Sequence, residues 1–90
     1  MPYNIFMCSI TDYLDECGIE RGQSFELLRL AVKLYDPSET LRSTYAKVSE
    51  ETGMSAATIE KYIAVAVAAA DCTPKEFIAK AKDRMTYENN

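Results

Sequence analysis

Four polar side chains that can hydrogen-bond to a ligand lie within one seven-residue stretch, at Ser55, Thr58, Glu60 and Lys61. Their hydroxyl, carboxylate and ammonium groups are of the kinds that hydrogen-bond to base edges, where lysine favours guanine and a carboxylate favours cytosine. Arg42, Lys47 and Thr44, a short way upstream, could contact phosphate oxygens. These residues are therefore candidates for a double-stranded DNA site, provided that neighbouring elements present them together.

The stretch Val48–Ile63 has the sequence pattern of a helix-turn-helix. A helix that ends in Glu50-Glu51-Thr52 is followed by Gly53, where a left-handed cap conformation is needed, and then by Met54, which is expected in the core. Ser55 can cap the next helix, whose buried face would carry Ile59 and Ile63. In the DNA-binding version of this motif the second helix enters the major groove.

The outward face of that second helix leaves two interpretations open. If Ile59, Ile63, Ala66 and Val67 pack inward, the residues that point outward are Ala56, Ala57, Glu60, Lys61 and Ala64. Glu60 and Lys61 are then either base-reading residues or ordinary solvated ones. The small residues Ala56, Ala57, Ala64, Val65 and Ala68 could instead bind a protein partner through the Ala57-Lys61-Ala64 face. The opposing interpretation is that Val65 is core and the alanines are only good helix formers.

Charge weighs against strong autonomous DNA binding. The 90-residue chain is one domain with a net charge of −4, and its first 20 residues carry four acids and no base. DNA-binding domains are usually basic, because neutralising phosphates supplies much of the affinity. The alternative function is therefore a protein-interaction module, or a small acidic inhibitor of a nucleic-acid-binding protein, built on a DNA-binding fold.

Several classes of function lack the residues that they need. The chain has no histidine, which removes Ser-His and Cys-His catalysis and histidine-based metal sites, and it has no Gly-rich phosphate loop. We therefore expect no enzyme, no catalytic residue, no metal and no cofactor. The odd set Cys8, Cys17 and Cys72 fits buried or half-buried thiols of a reduced, cytoplasmic protein. No run reaches the roughly 18–20 apolar residues of a membrane helix.

Apolar periodicity predicts an all-α compact bundle of about five helices. The boundaries are about Ile5–Cys17, Phe25–Tyr35 capped by Ser24, Asp36 to about Thr52, Ala56–Ala70 and Pro74 to about Met85. The second helix is apolar on nearly all sides and is expected at the centre. Asp36-Pro37-Ser38-Glu39 and Thr73-Pro74-Lys75-Glu76 each predict a helix start with a capping box.

Four blocks, in order along the chain, resemble one known family. They are ITDYLDECGI at Ile10–Ile19, Arg21-Gly22 with LLRLAV at Leu27–Val32, the helix-turn-helix with Arg42 and Tyr45 before it, and KEFIAKAKDR at Lys75–Arg84. The chain is similar to the C-terminal effector domain of the sporulation master response regulator, the stage 0 sporulation protein A family.

The resemblance implies a DNA-binding transcription regulator that uses the second helix of its motif. The family's glutamate and basic residue match Glu60 and Lys61, whereas its arginine is Thr58 here and its Arg-His pair is Ala64-Val65. Only Asp71-Cys72-Thr73 join the last two helices, a connection that is long in the family and near its dimer contacts, so a homodimer is left open. The chain has no phosphoreceiver domain, so it is either a stand-alone relative or an excised piece, and from its start of MPYNIF we expect a stand-alone relative.

Overall fold

The computed structural model describes residues 10–88, with side chains from 10 to 84, and helices are the only regular secondary structure in this part of the chain. The helices are α1 (Ile10–Glu16), α2 (Gln23–Leu34), α3 (Leu41–Thr52), α4 (Ala56–Ala68) and α5 (Pro74–Glu88). The predicted all-α bundle with a helix-turn-helix is confirmed. The predicted start of the first helix, with Phe6 and Cys8, lies outside the described residues. None of the described helices is both long and apolar enough to cross a membrane.

The core is built around α2, as its composition predicted. This helix packs against each of the other four. Its buried side chains are Phe25, Leu27, Leu28, Ala31 and Val32. Because these residues occupy more than one side of the helix, every neighbour can bury its own apolar face against α2. The position of α4 is thus set by packing against the same core that holds α1 and α5.

The predicted cap of α2 at Ser24 is wrong. The helix begins at Gln23 and its N-cap is Gly22, which adopts φ 150° and provides no side-chain cap. Glu26 N–H donates to the Gly22 carbonyl at 3.1 Å, which closes the first turn. The chain turns at Gly22, in a conformation that residues with a Cβ rarely adopt, so the helix starts two residues earlier than a serine cap would place it.

The predicted start of α3 at Asp36-Pro37 is also wrong, because those residues form a separate turn. The Asp36 carboxylate accepts hydrogen bonds from Ser38 N–H at 2.9 Å and from the Ser38 hydroxyl at 2.8 Å. The helix begins four residues later, where Thr40 accepts from Ser43 N–H at 3.1 Å. An aspartate that bonds to the backbone two residues on favours a turn over a helix cap.

The equivalent prediction for α5 is confirmed. Glu76 N–H donates to the Thr73 hydroxyl, and Thr73 N–H donates to the Glu76 carboxylate, both at 3.2 Å. These reciprocal bonds are the capping box, and they satisfy two backbone donors at the helix start. The helix continues beyond the predicted end at Met85 to Glu88, and α4 ends at Ala68, two residues before the predicted Ala70.

Surface contacts join α1 to its neighbours. Asp15 is exposed and accepts two hydrogen bonds from Arg21, from Nε to Oδ1 at 2.9 Å and from the terminal nitrogen to Oδ2 at 2.6 Å. The Arg21 guanidinium also lies 4.7 Å from the centroid of the Phe25 ring.

Cys17 and Cys72 are free and half-buried, as expected, while Cys8 is outside the described residues.

Candidate nucleic-acid interface

The turn between α3 and α4 is fixed by hydrogen bonds on both of its sides. Gly53 adopts the predicted left-handed conformation, φ 79°, and its N–H donates to the Ser49 carbonyl at 2.8 Å. The Ser49 hydroxyl donates to the Met54 carbonyl at 2.6 Å, and the Thr52 hydroxyl accepts from Met54 N–H at 3.2 Å. Side chains of α3 therefore tie the turn to the first helix, which fixes where α4 begins.

Ser55 caps α4, as predicted. Its hydroxyl oxygen accepts from Thr58 N–H at 3.2 Å and its hydroxyl proton goes to the Thr58 oxygen at 2.8 Å. The Ser55 hydroxyl is therefore occupied within the chain. The Thr58 hydroxyl, which accepts in this pair, keeps its own proton to donate to a ligand.

Only one narrow face of α4 is buried. Ile59, Ile63 and Val67 are at most 1% exposed, and they repeat every four residues along the helix. The predicted outward residues Ala56, Ala57, Glu60, Lys61 and Ala64 are all exposed. Ala66 is half-buried. The first two turns of α4 thus present every side chain except Ile59 to solvent.

Val65 is not a core residue, so the prediction that placed it in the core is wrong. Its exposed fraction is 67%, and Tyr62, one turn earlier, is 39% exposed. Valine is usually buried, so its residue type alone favours a core position. The repeat of Ile59, Ile63 and Val67 was the signal that places Val65 off the buried face.

Tyr62 and Val65 also border a groove that the sequence did not indicate. Its volume is about 420 Å³, and it is lined by Ser24 from the start of α2 together with Thr58, Lys61, Tyr62 and Val65 from α4. The groove combines three hydroxyls and one ammonium group with the apolar side chain of Val65. It exists because the start of α2 packs beside α4, a contact between residues more than 30 positions apart in the chain.

The predicted phosphate-contacting residues on α3 differ in their availability. Arg42 is exposed, and neither it nor Lys61 forms a salt bridge with any described side chain. Lys47 Nζ lies 2.8 Å from Glu39 Oε1, and this hydrogen bond raises the pKa of Lys47. Thr44 is fully buried, so the expectation that it touches phosphate is wrong. It lies on the α3 face that packs into the core with Tyr45 and Val48.

The charges on the two motif helices cancel. Arg42, Lys47 and Lys61 are balanced by Glu50, Glu51 and Glu60, which gives a net charge of zero over residues 41–68. All three acids are exposed. No collar of basic side chains surrounds α4 within the described residues, and Lys61 is the one cation on that helix.

Tyr45, one of the buried residues of α3, has an unusual hydroxyl. Its side chain is 5% exposed, and its hydroxyl oxygen is buried with no hydrogen-bond partner. Burial, followed by the negative charge of Glu60, raises the pKa of Tyr45 to about 12. The phenol is therefore a neutral donor throughout the physiological range.

Comparison of the chain with protein-family models, with curated proteins and with solved structures finds no match in any of the three.

Proposed function

We propose that this protein is a small DNA-binding regulator that inserts the N-terminal half of α4 into the major groove. The observation that carries the proposal is the exposure of that half-helix behind a hydrogen-bonded three-residue turn, Gly53–Ser55. A recognition helix must be held firmly by the helix before it and still project its own side chains into a groove about 12 Å wide. The arrangement of α3, turn and α4 meets both requirements.

The side chains divide the work by chemistry. Lys61 donates to guanine, Glu60 accepts from cytosine N4, and Thr58 donates through its free hydroxyl proton. Arg42 contacts a phosphate, and Lys47 does so when it exchanges Glu39 for a phosphate oxygen. Ser55 contributes as the cap that exposes the first turn of α4. The small side chains Ala57 and Ala64 let the helix approach the base edges closely. The resemblance to the sporulation effector domain supports the same helix and the same two charged positions.

Lys61→Ala tests the proposal directly. Fluorescence anisotropy with a mixed-sequence duplex at low salt should show weaker binding for the variant. The slope of log affinity against log salt concentration should fall by up to about one unit, because one ion contact is lost.

Lys33→Ala is the charge-matched control. Lys33 is exposed on α2, nine residues beyond Ser24 of the groove, which is about 14 Å along the helix. The Lys33→Ala variant should bind the duplex with the same affinity as the parent protein. A parent protein that binds no duplex at low salt, or equal losses in the two variants, would reject DNA recognition by α4.

The 67% exposure of Val65 favours a second candidate function, a protein-interaction module on a DNA-binding fold. An apolar surface on α4 is formed by Tyr62, Ala64 and Val65, and the two motif helices together have no net charge. Such a surface suits a protein partner better than it suits phosphate. Affinity purification with Val65→Asp as the control separates the two functions. A partner that binds the parent protein but not the variant, without duplex binding, supports this second function. Clear duplex binding with no recovered partner rejects it.

A further inference from the structure

The outward side of α4 carries four exposed residues with a symmetric spacing. These residues, which we call the α4 stripe, are Ala57, Lys61, Ala64 and Ala68, and the steps between them are four, three and four residues. Alternating steps of three and four residues keep side chains on one side of a helix, as in the contact seam of a coiled coil. Because this order of steps is the same from either end, the stripe matches an antiparallel copy of itself.

Two large apolar side chains border the α4 stripe. Val65 is 67% exposed and Tyr62 is 39% exposed, and they are the large hydrophobic residues that the described structure leaves on its surface. Both lie on the same side of the stripe, because each directly follows one of its members, Lys61 and Ala64. Removing these side chains from water against a second apolar surface is favourable.

Glu60 and Lys61 give this face one charge of each sign. The two residues are adjacent and exposed, and neither forms a salt bridge with a described side chain. In an antiparallel pair of α4 helices, Lys61 is within one helical turn of the partner's Glu60 along the contact, which is within the reach of a lysine side chain. Two-fold symmetry forms this contact twice. The charges of α4 are therefore complementary to those of a second copy.

We propose that α4 binds a second copy of this chain as an antiparallel helix pair, with the two-fold axis at the midpoint of the α4 stripe. Ala57 then lies opposite the partner's Ala68, and Lys61 lies opposite the partner's Ala64. Alanine leaves room for close contact, so the two helix axes can approach to about 8 Å.

The same arrangement gives the remaining side chains of this face a partner. The methylene stem of Lys61 covers the small alanine opposite, while its ammonium group extends to the partner's Glu60. Val65 packs against the partner's Tyr62 on the other side of the stripe. Apolar burial and two ion pairs thus act together in one contact.

The contact is small, so the dimer should be weak. Helix α4 has 13 residues and is about 20 Å long. Stable protein interfaces typically bury about 1,600 Å² in total, and a single pair of helices this short provides less. Association should therefore depend strongly on concentration, with monomers in the low micromolar range and dimers increasing toward about 1 mM.

Sedimentation equilibrium from about 10 μM to about 1 mM tests the proposal. The weight-average mass of the parent should rise from that of one chain toward that of two. Glu60→Lys and Lys61→Glu each bring like charges together twice, and each should weaken dimerisation by about tenfold. An equimolar mixture of these two variants should associate as the parent does, because opposite charges then meet again.

Lys33→Glu is the matched control for Lys61→Glu, since it makes the same change of charge at an exposed residue of α2. It should dimerise like the parent. Val65→Ser changes no charge and should weaken the dimer through the apolar contact alone. A parent that stays monomeric throughout overturns the proposal. Equal weakening by Lys33→Glu, or a mixture that associates no better than its separate components, overturns the assigned face.

The dimer also has a consequence for recognition, because it covers Lys61. This consequence rests on the proposed DNA-binding function, whereas the dimer does not. Duplex DNA and a second copy should compete, so adding a mixed-sequence duplex should convert dimers into complexes of one chain with DNA. A dimer that binds duplex without dissociating overturns the placement of the dimer contact on α4. Absence of duplex binding by the parent rejects the proposed function and leaves the mass measurements to decide the dimer.

Discussion

The charged residues of α3 and α4 differ in what each one is free to bind. Lys47 is held by Glu39, whose carboxylate also accepts from the Ser43 hydroxyl at 2.9 Å. Exposed pairs of this kind contribute little to stability, so Lys47 can exchange partners at small cost. Lys61 and Arg42 have no such partner among the described side chains and are immediately available. Lys61 is therefore the residue whose removal reports most directly on DNA binding.

Thr44 has a hydroxyl group that should reduce the stability of the fold. Its hydroxyl oxygen is fully buried without a hydrogen-bond partner. Thr44→Val keeps the shape of the side chain and removes the unsatisfied group, so it should raise the free energy of unfolding by about 1 kcal/mol. Urea denaturation followed by circular dichroism measures this. Lower stability in the variant would mean that the hydroxyl has a partner in solution, and the prediction would then be wrong.

At the scale of elements, function depends on the connection between α3 and α4. The helices meet through three residues, and the bonds from Ser49 and Thr52 fix that connection to α3. Because α4 buries only Ile59, Ile63 and Val67, its orientation depends on this turn as well as on the core. The turn is thus the element whose alteration should affect both stability and binding.

Gly53→Ala should lower the free energy of unfolding by about 1 kcal/mol. A methyl group at this position would meet no atom within 4 Å, so the loss comes from the left-handed backbone, φ 79°, and not from a clash. Gly53→Asn is the matched control and should lose less, since asparagine tolerates this conformation better. Thermal and urea unfolding of the two variants provides the comparison. Equal stability of alanine variant and parent would contradict the assigned conformation.

Two similar four-residue motifs each predicted a helix start, one at Asp36-Pro37-Ser38-Glu39 and one at Thr73-Pro74-Lys75-Glu76. Only the second prediction was correct. Thr73 and Glu76 form the predicted capping box. Asp36 instead binds Ser38, and Glu39 binds Lys47, so neither is available to cap a helix at that point. The bond from Lys47 to Glu39 spans eight residues and forms only once α3 has begun at Leu41. A four-residue motif contains no information about it.

At the scale of the whole molecule, the net charge of −4 coexists with a motif of zero net charge. The acids are partly engaged by local bonds. Hydrogen bonds from Arg21 lower the pKa of Asp15, the backbone and hydroxyl of Ser38 lower that of Asp36, and Lys47 and Ser43 lower that of Glu39. Each of these carboxylates therefore favours the folded state when ionised.

Stability should fall on acidification. A carboxylate whose pKa is lower in the folded chain contributes fully above its unfolded pKa, about 3.9 for Asp and about 4.3 for Glu, and loses that contribution as pH falls through the folded value. The melting temperature should thus be steady from pH 7 to about 5 and drop from there toward pH 2. Asp36→Asn should reduce the drop. A melting temperature that does not change over this range would contradict the assigned bonds.

Four features could be predicted from the sequence alone: the helical class, the central place of α2, the turn at Gly53 and the buried stripe of α4. These features follow from local rules, namely apolar periodicity, capping residues and the freedom of glycine. Tertiary packing, by contrast, determines which side chains remain available for function. It buried Thr44 and Tyr45 and engaged Lys47 with Glu39. Exposure and pairing depend on which distant residues pack together, and no local spacing of side chains specifies that.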